Sequence, residues 1–115
     1  MPSPEQTLIA LNPVRADRAD DFTRWLRSVV VPAMSEHQPH LADRWHVLRG
    51  TEAEEGVVVF AFVFDGGTDD DWELRPLLEK ALGSHGADRA LADMDQMLVE
   101  EQYGWWFSPV RLDGA

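Results

Sequence analysis

One histidine in this sequence is well placed for acid–base chemistry. His46 lies in ADRWHVLRG, residues 42–50, where side chains alternate as they do in a strand. An imidazole titrates near neutral pH, so a histidine on a sheet face that becomes a pocket can act as a general base. A histidine packed in a core or at an interface is the more common case at such a position, and the pattern leaves both interpretations open.

Aromatic residues near the end of the chain can form the wall of a pocket. Trp105 and Trp106 are adjacent in YGWWFSPVRL, residues 103–112, so a strand there directs one indole to each face of its sheet. A wall of this kind suits flat, conjugated ligands and also a subunit interface, and Trp106 is our candidate for it. Tyr103, the only tyrosine, is either a phenolic acid or an edge-strand residue.

The segment EHQPH brings Glu36, His37 and His40 close together. Pro39 prevents the continuous helix that would place two histidines on one face for a zinc ion, and no third ligand is evident. We therefore expect a solvated loop and no metal. The chain also lacks cysteine, a Gly-rich phosphate loop and a Ser-His-Asp order, so no resident cofactor is predicted.

Seven elements are expected to position these residues, in the order strand, helix, strand, strand, helix, helix, strand. The strands are predicted at residues 7–14, 42–50, 57–64 and 103–112, and the helices from Asp17 or Asp20 to near Pro32, over 72–83 and over 87–101. Residues 35–40 are predicted to be a loop, and Asp71 is expected to cap the second helix.

Apolar spacing and breaker residues support the three helices. The first helix has the buried stripe Phe22, Leu26, Val29 and Ala33, and the third has Ala87, Leu91, Met94 and Leu98. The β-branched run 29–31 followed by Pro32 should stop the first helix, and Gly83 should end the second.

Two right-handed crossovers around a central hairpin give an α+β, ferredoxin-like fold. Its four-stranded antiparallel sheet has the spatial order 4-1-3-2. The most apolar strand, the third, then lies inside the sheet. The second, with Arg44 and Arg49, and the fourth, with Pro109, lie at the edges. A chain of 115 residues is expected to form one domain over residues 1–115.

The third strand is apolar on both faces, while the helices of this fold cover only one. One face carries Val57, Val59, Ala61 and Val63, and the other carries Val58, Phe60, Phe62 and Phe64. We expect the phenylalanines on the uncovered face, where they would expose about 450–750 Å² of apolar surface. That is as large as the largest patch of a typical monomer, so a second subunit, a small ligand or stacked bases should cover it.

Nucleic acid is a poor candidate for this surface. Phe60-Ala-Phe-Val63 matches the middle of an RNA-recognition motif, but Val58-Val59 and Asp65 break its flanks. The net charge of −11, from 21 acidic and 10 basic residues, repels phosphate. No signal peptide or membrane-length apolar run is present, so a cytoplasmic protein without a membrane partner is expected. A homodimer and a hydrophobic small molecule remain as partners.

The chain resembles the dimeric α+β barrel superfamily over about residues 7–110. The resemblance rests on the order of elements, on NPVRADRADDFTRWLRSVVVPAM, residues 12–34, and on the Asp71-Trp72 pair. It implies two ferredoxin-like sheets packed face to face, with a pocket in each subunit between sheet and helices. Small members of this kind include cofactor-free antibiotic-biosynthesis monooxygenases and polyketide cyclases of secondary metabolism, and haem-degrading monooxygenases.

The resemblance also implies site residues. Asn12, near the end of the first strand, would hold dioxygen or a substrate oxygen, Trp72 would supply a wall, and His85 would act as a base or a haem ligand. The chain departs from this pattern because Gly83 separates Trp72 from His85. A related His-x-Pro signature is replaced by residues 30–32, Val-Val-Pro.

These observations predict a cofactor-independent monooxygenase or cyclase that acts on an aromatic, polyketide-like molecule. The alternatives are a non-catalytic dimer that binds a hydrophobic ligand and, third, a haem-binding protein. The expected catalytic residues are His46 and Asn12, and the expected ligand-binding residues are Trp106, Phe60, Phe62, Phe64, Trp72, His85 and Tyr103.

Overall fold

A computed structural model describes residues 6–113 of the chain. Its strands are β1 (Thr7–Arg15), β2 (Trp45–Arg49), β3 (Val57–Asp65) and β4 (Tyr103–Phe107), and its α-helices are α1 (Ala19–Trp25), α2 (Val31–His37) and α3 (Leu74–Met97). Short 3₁₀ turns occupy Ala16–Arg18 and Asp70–Trp72, and a π-helical turn, Leu26–Val30, joins α1 to α2. No helix within residues 6–113 has the length and apolar character needed to cross a membrane.

The four strands form one antiparallel sheet in the order β2-β3-β1-β4. This is the predicted order 4-1-3-2 read from the opposite edge, and the ferredoxin-like α+β prediction is confirmed. The most apolar strand, β3, pairs along its whole length with β1 and also pairs with β2. Edge strands β2 and β4 contribute only five residues each, as expected where a strand has a single neighbour.

The phenylalanine row of β3 lies under the helices, which corrects the prediction that it occupies the uncovered face. Phe60, Phe62 and Phe64 are only 2%, 4% and 8% exposed. Phe22 of α1 covers Phe60 and Phe62, with its ring centre 4.9 Å and 6.2 Å from theirs. The alternation itself is as predicted, but the uncovered face carries the smaller residues of the strand, from Val57 to Val63. The larger rings fill the wider space between sheet and helices.

The first helical segment continues past Pro32, where the sequence predicts a stop. Because Val31 N–H donates to Leu26 O across five residues, the helix passes through a π turn. Pro32 then falls in the first turn of α2, directly after the π turn. The turn shifts the helical register, so Val30 is buried and the predicted core residue Val29 is only half-buried.

Several predicted boundaries are displaced by local contacts. The helix expected over 87–101 ends at Met97, because Leu98 bridges to Val14 in β1. The strand expected over 103–112 ends at Phe107, two residues before Pro109. The loop expected over 35–40 begins only after α2 ends at His37. Neither Asp17 nor Asp20 caps a helix, since the α1 N-cap is Arg18 and has no side-chain cap bond.

Gly83 divides α3 into two helical segments, 74–82 and 84–97. Its backbone has φ 77° and ψ 170°, which is not helical. This agrees with the prediction that Gly83 ends one helix before another begins. An ion pair joins the two segments, with Arg75 Nη1 2.7 Å from Asp88 Oδ1.

Substituting Gly83 should test the strain at this kink. We expect Gly83→Ala to lower the free energy of unfolding by about 1–3 kcal/mol, since this backbone region is essentially restricted to glycine. An added Cβ meets no atom within 4 Å, so the cost would be conformational rather than steric. Urea denaturation measures it, with Ser84→Ala as the control. Equal stability of the two variants would contradict the argument.

Candidate ligand-binding cavity

A cavity of about 380 Å³ lies between the sheet and the helices. This volume is within the range of about 300–1,000 Å³ that is usual for small-molecule sites. The sheet supplies Leu8 and Ala10 from β1 together with Phe62 and Phe64 from β3, and the helical layer supplies Val30, Met34 and Leu77. The π turn contributes directly, because it is what directs Val30 inward.

Four aromatic rings form one side of the cavity, which we call the aromatic wall: Trp45, Phe62, Phe64 and Trp72. Phe64 is at its centre. Its ring stacks on Trp72 with centroids 4.7 Å apart and on Trp45 at 6.2 Å, and Phe62 meets it edge-on. The stacked rings make the sheet end of the cavity apolar and aromatic, which suits a planar, largely apolar ligand.

The turn that follows β3 fixes the outer ring of the wall. The indole Nε1 of Trp72 donates to Gly66 O at 2.8 Å. At Gly67, φ is +76° and a Cβ would lie 3.0 Å from that nitrogen, so only glycine fits beneath the ring. Asp71 stabilises the turn by accepting from Thr68 N and Oγ1 rather than capping the next helix, which corrects the predicted cap.

Three carboxylates at the cavity edge form what we call the acidic rim: Asp69, Asp71 and Glu73. The indole of Trp106, on edge strand β4, donates to Asp69 Oδ1 at 2.7 Å. Gln102, Tyr103 and Gly104 complete the edge beside β4. Among the described residues that line the cavity there is no Lys, Arg or His, so its ionised groups at neutral pH are all negative.

Asn12, a predicted catalytic residue, is buried in the core and does not line the cavity. It is fully buried, and its Nδ2 donates to Ala10 O and Phe60 O at 3.3 Å. Its Oδ1 has no partner among the described residues, and neither has the buried indole nitrogen of Trp25. In this conformation Asn12 ties β1 to β3 and does not contact the cavity space.

The two histidines predicted for the site lie outside the cavity. His46 is exposed on the uncovered sheet face, opposite Val63, and lines a separate groove of about 230 Å³ beside α2. His85 is exposed in α3, two residues beyond Gly83. Neither is among the residues around the aromatic wall, and their proposed chemical roles remain predictions.

The structure gathers four of the other predicted binding residues around one cavity: Phe62, Phe64, Trp72 and Tyr103. Trp106 is connected to the edge of the cavity by its hydrogen bond to Asp69. Phe60 packs against Phe22 in the core and does not line the cavity.

Trp45 and the acidic rim were not predicted as site residues. The sequence feature that could have identified Trp45 is its position next to His46. Neighbouring side chains of a strand face opposite sides of the sheet, so a strand that exposes His46 directs Trp45 toward the helices. There Trp45 lies opposite Phe64.

Neither of the charged groups with a shifted pKa lines the cavity. A hydrogen bond from Arg18 lowers the pKa of Asp21, and one to Asp88 raises the pKa of Arg75. Within residues 6–113, no three His, Asp or Glu side chains are arranged to hold a metal ion.

The fold and cavity define a class of protein: a ferredoxin-like α+β subunit with a ligand-sized space between helices and sheet. No protein-family model matches the sequence, and no curated protein matches it significantly. Among solved structures, the chain is similar to a proposed antibiotic biosynthesis monooxygenase from Caulobacter crescentus CB15. The TM-score is 0.50 at 14% identity, over 92% of this chain and 90% of that one. The resemblance found in the sequence is thus confirmed for the fold.

Two further solved proteins align over most of their length but less closely. One is a proposed antibiotic biosynthesis monooxygenase from Nitrosomonas europaea, with TM-score 0.49, 14% identity, and 95% and 93% of the two chains covered. The other is Rv0793 from Mycobacterium tuberculosis, with TM-score 0.44, 16% identity, and 95% and 98% covered.

Removing the indole nitrogen of Trp72 should test how the wall is held. We expect Trp72→Phe to lower the free energy of unfolding by about 1–3 kcal/mol, since the buried Gly66 carbonyl loses its donor while a ring still stacks on Phe64. Urea denaturation at fixed protein concentration measures the change. Val110→Ala, at a side chain that is 77% exposed and outside the strands and helices, is the control and should cost about 0.5 kcal/mol or less. An equal effect of both substitutions would show that the hydrogen bond contributes nothing.

Proposed function

We propose that the cavity binds a flat, largely apolar aromatic molecule, and that the protein is a monooxygenase or cyclase that acts on it without a resident cofactor. The aromatic wall is the observation that carries this proposal, because three of its rings stack in sequence around a space of ligand size. The likeness of fold to the proposed monooxygenase from Caulobacter supports the kind of chemistry.

In such a reaction the chain itself binds and orients the aromatic substrate and accepts a proton from it. The wall holds the ring system, and the apolar helical side, including Val30 and Met34, excludes water from the reacting carbon. The proton acceptor nearest a bound ring is a carboxylate of the acidic rim, since His46 lies on the other face of the sheet. Dioxygen would be the oxidant.

A non-catalytic ligand-binding protein is the second candidate. The observation that favours it is the position of the two predicted catalytic residues, because neither Asn12 nor His46 lines the cavity. On this interpretation the same aromatic wall holds a hydrophobic molecule without changing it.

Anthrone is a suitable probe to separate these functions. Its oxidation consumes one dioxygen, breaks both C–H bonds of the central methylene and gives anthraquinone and water. We expect the protein to accelerate this reaction at least tenfold over buffer, followed by anthraquinone absorbance and oxygen uptake. Val30→Phe should abolish most of the rate by filling the cavity. Val29→Phe, a matched change outside the lining, should retain it.

Binding is measured separately by quenching of tryptophan fluorescence under nitrogen. Binding that is lost in Val30→Phe, without turnover by the wild type, would favour the non-catalytic function. If anthrone and anthraquinone both fail to bind, or bind equally well to Val30→Phe, the cavity is not the site.

We also propose that a second copy of the chain covers the open side of the sheet. This uncovered sheet face includes Leu48, Trp105 and Phe107, which are 55%, 58% and 47% exposed. Leu48 lies on β2 and the other two lie on β4, at the two edges of the sheet. Val59 of β3 and Ile9 and Leu11 of β1 lie between them on this face, so the apolar surface is continuous across the sheet. Continuous surface of this kind is typical of an interface.

Sedimentation velocity should show a particle of twice the chain mass of 13.0 kDa. Trp105→Glu should dissociate the dimer into single chains, because a carboxylate in an apolar interface would be buried without a partner. Leu82→Glu is the control, since Leu82 is 48% exposed but lies on α3. A wild-type protein that sediments as one chain at micromolar concentration would rule out this dimer.

A further inference from the structure

We infer that the cavity selects aromatic ligands that carry a protonated amine over those that carry a carboxylate, and that Asp69 makes this distinction. The inference rests on the proposed function, because it takes the cavity to be the binding site. It goes further by assigning the charge of the ligand and the residue that recognises it.

The first argument is the sign of the charges in the lining. Asp69, Asp71 and Glu73 stand at one edge, and no Lys, Arg or His is among the described lining residues. The opposite side is apolar, with Val30 and Leu77 from the helical layer, so the field of the carboxylates is less screened there than in water. An anionic ligand would meet only like charge, and its carboxylate would lose water without gaining a cationic partner.

The aromatic wall provides a second, independent argument. The face of an aromatic ring carries partial negative charge, and it attracts an ammonium group within about 6 Å of its centre, most strongly when the ring is tryptophan. The wall includes Trp45 and Trp72, one on each side of Phe64. A cationic aromatic ligand would therefore be favoured both by the rings and by the acidic rim.

Asp69 is the carboxylate of the rim best prepared to bind such a group. Asp71 is committed to its own turn, where Oδ2 accepts two hydrogen bonds from Thr68. Glu73 is exposed and is not held by a hydrogen bond from any described side chain. Asp69 is exposed as well, but it is held through Oδ1 by the indole of Trp106, which leaves Oδ2 to accept from an ammonium group.

The experiment compares three probes of the same ring system: 2-naphthylmethylamine, 2-naphthalenemethanol and 2-naphthoate. At pH 7 they are cationic, neutral and anionic. Equilibrium dialysis against wild-type protein should give dissociation constants that rise in this order, with the amine at least tenfold tighter than the alcohol. The preference for the amine should weaken as salt is raised from low to physiological concentration.

Asp69→Asn should weaken amine binding about tenfold and leave the alcohol unchanged, because the amide keeps the size and loses the charge. Glu52→Gln, in the exposed loop between β2 and β3, is the matched control for net charge and should change neither. Trp106→Phe, a second variant that keeps the carboxylate and removes its hydrogen bond, should lose part of the preference.

The outcomes separate this inference from the function on which it rests. If the alcohol binds and the amine binds no better, or if the naphthoate binds best, the inference is overturned while an aromatic site remains. If Asp69→Asn and Glu52→Gln reduce amine binding equally, the assignment to Asp69 is wrong. If no probe binds, the proposed function and the inference fail together.

Discussion

The packing of Phe22 against the phenylalanine row of β3 is the contact on which the rest of this structure depends. Phe22 and Phe60 are 0% and 2% exposed, and their rings meet edge to face at 4.9 Å. Each phenylalanine removes about 150–250 Å² from water, so the helical layer must lie on this side of the sheet. The valine side of β3 is left open as a direct consequence, which is why one strand provides both a core and an uncovered surface.

The same contact explains where the cavity lies. At the Phe60 end of the row, the ring of Phe22 fills the space between helix and sheet. At the Phe64 end, the helical layer presents the smaller side chains of Val30 and Met34, and the cavity lies between them and the rings. The indoles of Trp45 and Trp72 flank Phe64 there. The candidate site is thus the part of the core where smaller side chains than Phe22 face the phenylalanine row.

The sequence predicts the topology well because the order of elements and the right-handed crossover rule leave few arrangements of four strands. It does not predict which face of β3 the helices cover, since alternation is symmetrical and both faces are apolar. Val30 was missed for a different reason: the π turn shifts the register of the helix, and a regular spacing places Val29 inward. The alternation with His46 could have directed Trp45 toward the helices, but its contact with Phe64 depends on the register between β2 and β3, which no local pattern reveals. Asn12 was placed correctly in β1, but its burial is set by long-range packing.

The π turn at Leu26–Val30 has a consequence for how this helix tolerates changes of length. A π turn holds about one residue more than an α turn, so loss of one residue here would give a regular α-helix and leave Met34 on its present side. A residue gained or lost elsewhere in an α-helix turns everything after it by about 100°. Leu26–Val30 is therefore the place where the chain can shorten by one residue while the helical side of the cavity keeps its lining.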